Sequence, residues 1–191
     1  MGGFVALSGV GFLDSATRGA ALFLLPFVME ARDLSPVQVN VMLILLLIGG
    51  AAGKFGCGWL GDRYGAVGLI WGTKGLTALL LALSPLTTPL ALAPLMIVLG
   101  IGLNGTSSVL YATVAEFVPP RRRARLYSIY YTTNEGGAIA APLVYGALAD
   151  VLSLKVTMLI MAAATAIVLP VSLTLGKHLA PRVVESGNPR A

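Results

Sequence analysis

The sequence has few charged residues and almost none of the groups on which enzyme chemistry depends. Lys, Arg, Asp and Glu make up 11% of its 191 residues, whereas a soluble domain carries about 25%. The single cysteine, Cys57, cannot form an intrachain disulfide. No nucleophile–base pair, metal-binding constellation or Walker-type phosphate loop is visible, so neither an enzyme, a cofactor, a metal site nor an ATP-driven pump is predicted. These shortages argue against a soluble enzyme, a nucleic-acid-binding protein and a disordered chain.

Apolar residues, by contrast, account for 57% of the chain and are gathered into long runs. A membrane-spanning helix needs about 20 predominantly apolar residues, and six such runs fit between short polar links. We therefore predict an all-α membrane protein with six transmembrane helices in residues 1–175, followed by a cytoplasmic tail over 176–191. The predicted helices cover residues 4–29, 35–59, 67–84, 90–117, 125–149 and 154–175.

The basic residues are concentrated on one side of this predicted bundle. With six spans, both termini share a side with the second and fourth links, and eight basic residues fall there against two, Arg32 and Lys155, opposite. Because basic loops are retained in the cytoplasm, we predict a cell-membrane protein with both termini cytoplasmic and no nucleic-acid partner. The eight residues are Arg63, Arg121, Arg122, Arg123, Arg125, Lys177, Arg182 and Arg190.

Two glycine-rich segments of the chain resemble each other. Residues 49–62 read GGAAGKFGCGWLGD and residues 136–150 read GGAIAAPLVYGALAD, and the closing Gly-x-Leu-x-Asp pentads lie 88 residues apart. The second and fifth predicted helices cross the membrane in opposite directions, so the pentads fall on opposite sides. This pattern indicates two inverted three-helix repeats, at about 3–84 and 90–175, an arrangement typical of secondary transporters.

The link after the second predicted helix carries the sequence GWLGDRYG at residues 58–65. It resembles the loop motif Gly-x-Leu-x-Asp-Arg-x-Gly of the major facilitator superfamily, which follows the second helix of a six-helix half. Residues 116–150, with a basic link, a glycine-rich helix and a closing Gly-x-Leu-x-Asp, are similar to the passage from the fourth to the fifth helix of such a half. The resemblance covers nearly the whole chain.

The resemblance implies secondary active transport of a small solute by alternating access, with proton coupling, by one half of a twelve-helix transporter. Ala66-Val67 replaces the basic pair of the motif, as is usual in the family's C-terminal half, and residues 18–38 resemble resistance-type efflux members. The implied partners are membrane lipid, the solute and a second six-helix half, from a missing part of the same chain or from a dimer. The alternative is a truncated or regulatory membrane protein without transport activity.

The family's loop motif also implies roles for four residues. Asp62 and Arg63 would latch helices together on the cytoplasmic side, and release of the latch would accompany the switch in access. Gly58 and Gly65 would permit the tight turn between the second and third helices.

Two charged residues lie near the middle of the first predicted helix, where each costs about 2.5–3.5 kcal/mol to insert. Asp14 and Arg18 are four residues apart and therefore share a helix face, on which we expect them to pair. In the functional interpretation the pair lines the cavity and binds a charged group of the solute or couples transport to protons. In the alternative it is a structural ion pair.

The fifth predicted helix carries a second candidate group near its middle, Glu135 beside Asn134 and one turn from Tyr131. A carboxylate at this depth suits a group that takes up and releases a proton. The alternative is a structural pair with a basic residue such as Lys74 or Arg18. We expect Asp14, Arg18 and Glu135 to border one shared wet crevice.

The fourth predicted helix has a small and polar face formed by Gly100, Asn104, Ser107 and Tyr111. Asn104 is either a solute-binding amide at the midplane or part of a close helix contact. Lys54 is predicted to extend to the membrane interface. For Lys74 the sequence suggests a partner in Glu135 or Asp62 but no role.

Overall fold

The computed structural model describes residues 2–176, except for the side chains of Asp62 and of residues 174–176. Within this range all regular structure is helical, in agreement with the all-α prediction. Of the predicted tail, 176–191, only the backbone of Gly176 belongs to the described residues.

The described chain forms six long helices. The helical stretch Pro36–Leu83 breaks at Gly65, where φ is 75° and ψ is 160°, so it holds two helices of membrane length. A single 3-10 turn at Pro120–Arg122 precedes the fifth helix. The six helices are α1 (Gly2–Glu30), α2 (Pro36–Gly61), α3 (Arg63–Leu83), α4 (Pro89–Phe117), α5 (Arg123–Val151) and α6 (Leu154–Gly176).

The helix ends follow signals that are visible in the sequence. At the start of α2 the Ser35 hydroxyl accepts a hydrogen bond from the Gln38 backbone N–H, and the Ser35 N–H donates to the Gln38 side chain. This capping box satisfies two amides that would otherwise lack partners. Except at the start of α3, every predicted boundary lies within two residues of the observed one.

The break in the helical stretch Pro36–Leu83 depends on one glycine rather than two. Gly65 adopts the left-handed region, which a side chain would make costly. The prediction that Gly58 also forms this turn is wrong, because Gly58 is helical and lies inside α2. The helical hydrogen bonds of α2 continue past Gly58, so the chain has no need to turn there.

Five of the six helices, all except α5, are long and apolar enough to cross a membrane. Helix α5 is more polar because its first half carries groups such as Ser128, Asn134 and Glu135, but it has 29 residues, or about 43 Å at 1.5 Å per residue. It also packs closely along α1, since a Cβ at Gly19 would meet the backbone of Ala138. Length and packing therefore put α5 in one bundle with the five apolar helices.

Glycines allow close contact between helices of the first half of the chain and helices of the second half. A Cβ at Gly49 would meet the carbonyl of Ile97 and one at Gly53 would meet Ile101, so α2 packs against α4 almost backbone to backbone. In the same way, a Cβ at Gly137 would meet Phe12, so α5 packs against α1. Such small-residue contacts are the main means by which helices associate where no hydrophobic effect acts between them.

Buried residues form two apolar clusters with a polar layer between them. One cluster includes Leu25, Met29 and Leu99, and the other includes Leu7, Val10 and Val114. Between them, hydroxyls join helices, from Thr73 to Thr106 at 2.7 Å and from Thr17 to Thr165 at 3.2 Å. The buried residues that we call the polar layer are Asp14, Thr17, Thr73, Lys74, Thr106, Asn134 and Thr165.

We predict that Gly53→Ala destabilises the bundle by about 1–3 kcal/mol, because the added methyl group would overpack the contact of α2 with Ile101. Thermal unfolding of the purified chain in detergent measures the loss. Gly56→Ala is the matched control, since nothing lies within 4 Å of a Cβ at that position on the same helix. Equal unfolding temperatures for the two variants would contradict the packing assigned to Gly53.

Candidate functional site

A cleft of about 270 Å³ opens where α1, α2, α4 and α5 meet. It contains two basic residues, one acidic residue, two tyrosines and two serines, a polar lining for a site between membrane helices. We call it the charged cleft. Its lining residues are Arg18, Lys54, Ser107, Ser108, Tyr111, Tyr131 and Glu135.

One ion pair lies in the charged cleft and joins α1 to α5. Arg18 Nη2 is 3.9 Å from Glu135 Oε1, and the two side chains are 18% and 39% exposed. Arg18 also donates to the Ser15 hydroxyl at 3.3 Å. The close packing at Gly19 and Gly137 brings the two helices near enough for this contact. The pairing of Glu135 with Arg18, one of the alternatives open from sequence, is therefore present.

A second ion pair is sealed inside the bundle, and it corrects two predictions. Asp14 on α1 pairs with Lys74 on α3, and their side chains are 2% and 0% exposed. Asp14 therefore does not pair with Arg18, and Lys74 pairs with Asp14 instead of Glu135. Residues four apart on one helix share a face only loosely. Here each of the two pairs with an oppositely charged residue on a different neighbouring helix.

The prediction that Asp14, Arg18 and Glu135 border one shared crevice is also wrong for one of the three residues. Arg18 and Glu135 border the charged cleft, but Asp14 is buried in the polar layer and does not line it. Apart from their mutual contact, Asp14 Oδ1 and Lys74 Nζ have no hydrogen-bond partner among the described residues. Removing either charge would leave the other buried and uncompensated.

The remaining predicted site residues are divided between the cleft and the helix contacts. Tyr131 lines the charged cleft and is 55% exposed. Asn134 is buried against α1, where a Cβ at Gly11 would lie 2.7 Å from its Oδ1. Asn104 donates to the Gly100 carbonyl at 3.4 Å and faces α2, so it lies in the α2–α4 contact.

The sequence analysis did not include Lys54 among the site residues and did not single out the cluster of tyrosines. Lys54 lines the charged cleft with an exposed side chain. The ring of Tyr111 lies 6.3 Å from that of Tyr131, centroid to centroid, and 5.4 Å from the edge-on ring of Tyr130. The Tyr127 hydroxyl donates to the Tyr111 carbonyl at 3.2 Å. The spacing of residues 127, 130 and 131, which puts three tyrosines on one side of a helix, was the available signal.

The loop-motif residues lie apart from the charged cleft. The Arg63 guanidinium lies over the ring of Tyr64, 5.9 Å from its centroid, and Gly65 makes the turn. The side chain of Asp62 and the whole of His178 lie outside the described residues. Among the described residues no group of three or more His, Cys, Asp and Glu side chains could hold a metal ion.

Comparison with known proteins relates this arrangement to membrane transporters. The family model described as Major Facilitator Superfamily matches residues 7–190. The chain is 32% identical to a metabolite transport protein of Bacillus subtilis, 31% identical to a gentisate transporter of Corynebacterium glutamicum and 32% identical to an arabinose–proton symporter of B. subtilis. These matches cover 66%, 65% and 67% of this chain but 30%, 28% and 29% of the relatives. The chain thus spans less than a third of the curated relatives it matches.

We predict that Lys74→Met destabilises the chain by about 3–5 kcal/mol, because it leaves the Asp14 carboxylate buried without a partner. The double variant Asp14→Asn/Lys74→Met removes both charges and should recover most of this loss. Thermal unfolding in detergent measures both effects. Lys155→Met, at an exposed lysine in the first turn of α6, is the control. A Lys74→Met chain as stable as the Lys155→Met chain would disprove the buried pair.

Proposed function

The chain belongs to the major facilitator superfamily, and we propose that it acts as one six-helix half of a twelve-helix secondary transporter for a small solute. The observation that carries this proposal is the charged cleft, which has Arg18, Glu135 and Lys54 on its wall between membrane helices. Ionisable groups are expensive at this depth, and a functional site is the default reason for them. The names of the relatives, which include gentisate and arabinose transporters, support solute transport.

The second half of the proposed transporter comes from the rest of a longer chain or from a second copy of this one. We assign the present half to the C-terminal position on the basis of its weakened loop motif. In the proposed arrangement α1–α3 and α4–α6, at about 3–84 and 90–175, are inverted repeats. The reciprocal packing of α2 on α4 and of α5 on α1 supports this division, because the matching glycine-rich segments each contact the first helix of the other repeat.

The proposed transporter lies in the cell membrane with both termini in the cytoplasm, as the distribution of basic loop residues indicates. On this side Asp62 and Arg63, followed by the turn at Gly65, form the proposed conformational latch. Solute transport then proceeds by rocking of the two halves about the charged cleft, which gives alternating access from the two sides. Export remains a prediction from the faint resemblance of residues 18–38 to efflux members.

We further propose that Glu135 couples transport to protons through its contact with Arg18. Protonation of Glu135 cancels its charge and removes the attraction that joins α5 to α1 at the charged cleft. Arg18 is then free to bind an anionic group, and the two helices are free to separate. The partial exposure of Glu135 gives protons access that the sealed Asp14–Lys74 pair lacks.

Reconstitution into vesicles tests the transport proposal. The purified chain, alone and with any half encoded beside it, is assayed for uptake of gentisate and arabinose under an imposed pH gradient. We expect a twelve-helix assembly and accumulation of a solute above its equilibrium level. A lone six-helix monomer with no uptake of either solute would instead favour the truncated or regulatory membrane protein.

We predict that Glu135→Gln lowers gradient-driven uptake by about tenfold or more, because the neutral amide cannot bind and release the coupling proton. Solute equilibration without a gradient should persist, and this difference separates lost coupling from lost folding. Glu30→Gln, at an exposed carboxylate at the end of α1, is the matched control. Unchanged dependence on the pH gradient in Glu135→Gln would remove Glu135 from the mechanism.

A further inference from the structure

The charges on the wall of the charged cleft do not balance. It contains the cations Arg18 and Lys54 but only the carboxylate of Glu135, and that carboxylate is paired with Arg18. No carboxylate with a described side chain lies within 4.0 Å of the Lys54 ammonium. Among the described residues, the cleft therefore lacks one negative charge.

Lys54 is exposed on the wall of the charged cleft, so in the described half its ammonium can be hydrated. Lys54 is seven residues before the end of α2 at Gly61, or about 10 Å at 1.5 Å per residue. A cation between membrane helices at this depth needs a partner or water. When a second half covers the cleft, a bound anion is the group that would compensate Lys54.

The same wall presents aromatic surface beside Lys54. Tyr111 and Tyr131 line the charged cleft and also a neighbouring cleft, and their rings are inclined by 39° to each other. Tyr111 is held in place by the edge of Tyr130 and by the hydroxyl of Tyr127. Fixed tyrosine rings favour stacking or edge-on contact with another planar ring.

The size of the charged cleft limits its occupant. Its volume of about 270 Å³ lies just below the range of about 300–1,000 Å³ that is usual for pockets of drug-sized ligands. A single ring with one charged substituent suits this space. A neutral sugar would leave Lys54 without a partner, and a lipid phosphate would make no use of the tyrosines.

We propose that the charged cleft binds a small aromatic monocarboxylate, with the carboxylate paired to Lys54 and the ring against Tyr111 and Tyr131. This inference rests on the proposed transport function, since the charged cleft is the same site. It assigns Lys54 the recognition of the ligand's charge and the two tyrosines the recognition of its planar ring. Glu135 and Arg18 neutralise each other until Glu135 is protonated.

Binding of radiolabelled benzoate to the purified chain in neutral detergent, measured by equilibrium dialysis, tests the ligand class. Benzamide has the same ring without the charge, and cyclohexanecarboxylate has the same charge without the planar ring. We expect saturable benzoate binding and competition by either analogue that is weaker by about tenfold or more. Equal competition by both analogues, or thermal stabilisation by phosphatidylglycerol but not by benzoate, would overturn the assignment.

Variants of the cleft test the residue roles. Lys54→Met should weaken benzoate binding by about tenfold or more, whereas Lys54→Arg keeps the charge and should stay within about threefold. Tyr131→Ala should weaken binding and Tyr131→Phe should retain it. Lys155→Met, outside the cleft, is the matched control, and thermal unfolding verifies that each variant is folded. Unchanged affinity in folded Lys54→Met would refute the role of Lys54.

Uptake measurements separate a failure of this inference from a failure of the transport proposal. Benzoate that binds through Lys54 but is not accumulated by vesicles supports the ligand class and counts against transport. Accumulation of arabinose by a chain that neither binds nor transports benzoate supports transport and overturns the ligand class.

Discussion

The high cost of an unpaired charge between membrane helices governs the arrangement of this bundle. Helix α1 carries two charged residues near its middle, and each is compensated from a different helix: Asp14 by Lys74 of α3 and Arg18 by Glu135 of α5. Every partner must therefore lie at a matching depth. The two ion pairs join α1 to α3 on one side and to α5 on the other.

The two ion pairs differ in their exposure to solvent, and this difference distinguishes a structural pair from a candidate functional pair. The Asp14–Lys74 pair is sealed in the polar layer between two apolar clusters, where water and solutes cannot reach it. The Arg18–Glu135 pair lies in an open cleft and is only partly buried. A group that must exchange a proton or meet a solute needs access, so we assign the proposed transport chemistry to the second pair and a structural role to the first.

Glycine allows helices of this bundle to approach closely, and between α1 and α5 this approach brings Arg18 and Glu135 together. The contacts of Gly49 and Gly53 with α4, and of Gly137 with α1, bring backbones together without intervening side chains. Since lipid is as apolar as the helix surfaces, such packing and the hydroxyl bonds of the polar layer supply the association energy. The same segments carry the internal sequence similarity on which the proposed repeats rest.

The sequence alone determined the features that depend on local chemistry. Apolar run length predicted the helices, and Ser35 with Gln38 predicted the start of α2, because these signals act within a few residues. Partner choice was different: Asp14 could be matched to Arg18 by spacing, yet it contacts Lys74, 60 positions away. Which helix faces are neighbours is decided by contacts between helices that are distant in sequence, and only the folded bundle reveals them. For the same reason only the tertiary structure put Lys54 beside the tyrosines, Asn104 in the α2–α4 contact and Asn134 in a buried contact with α1.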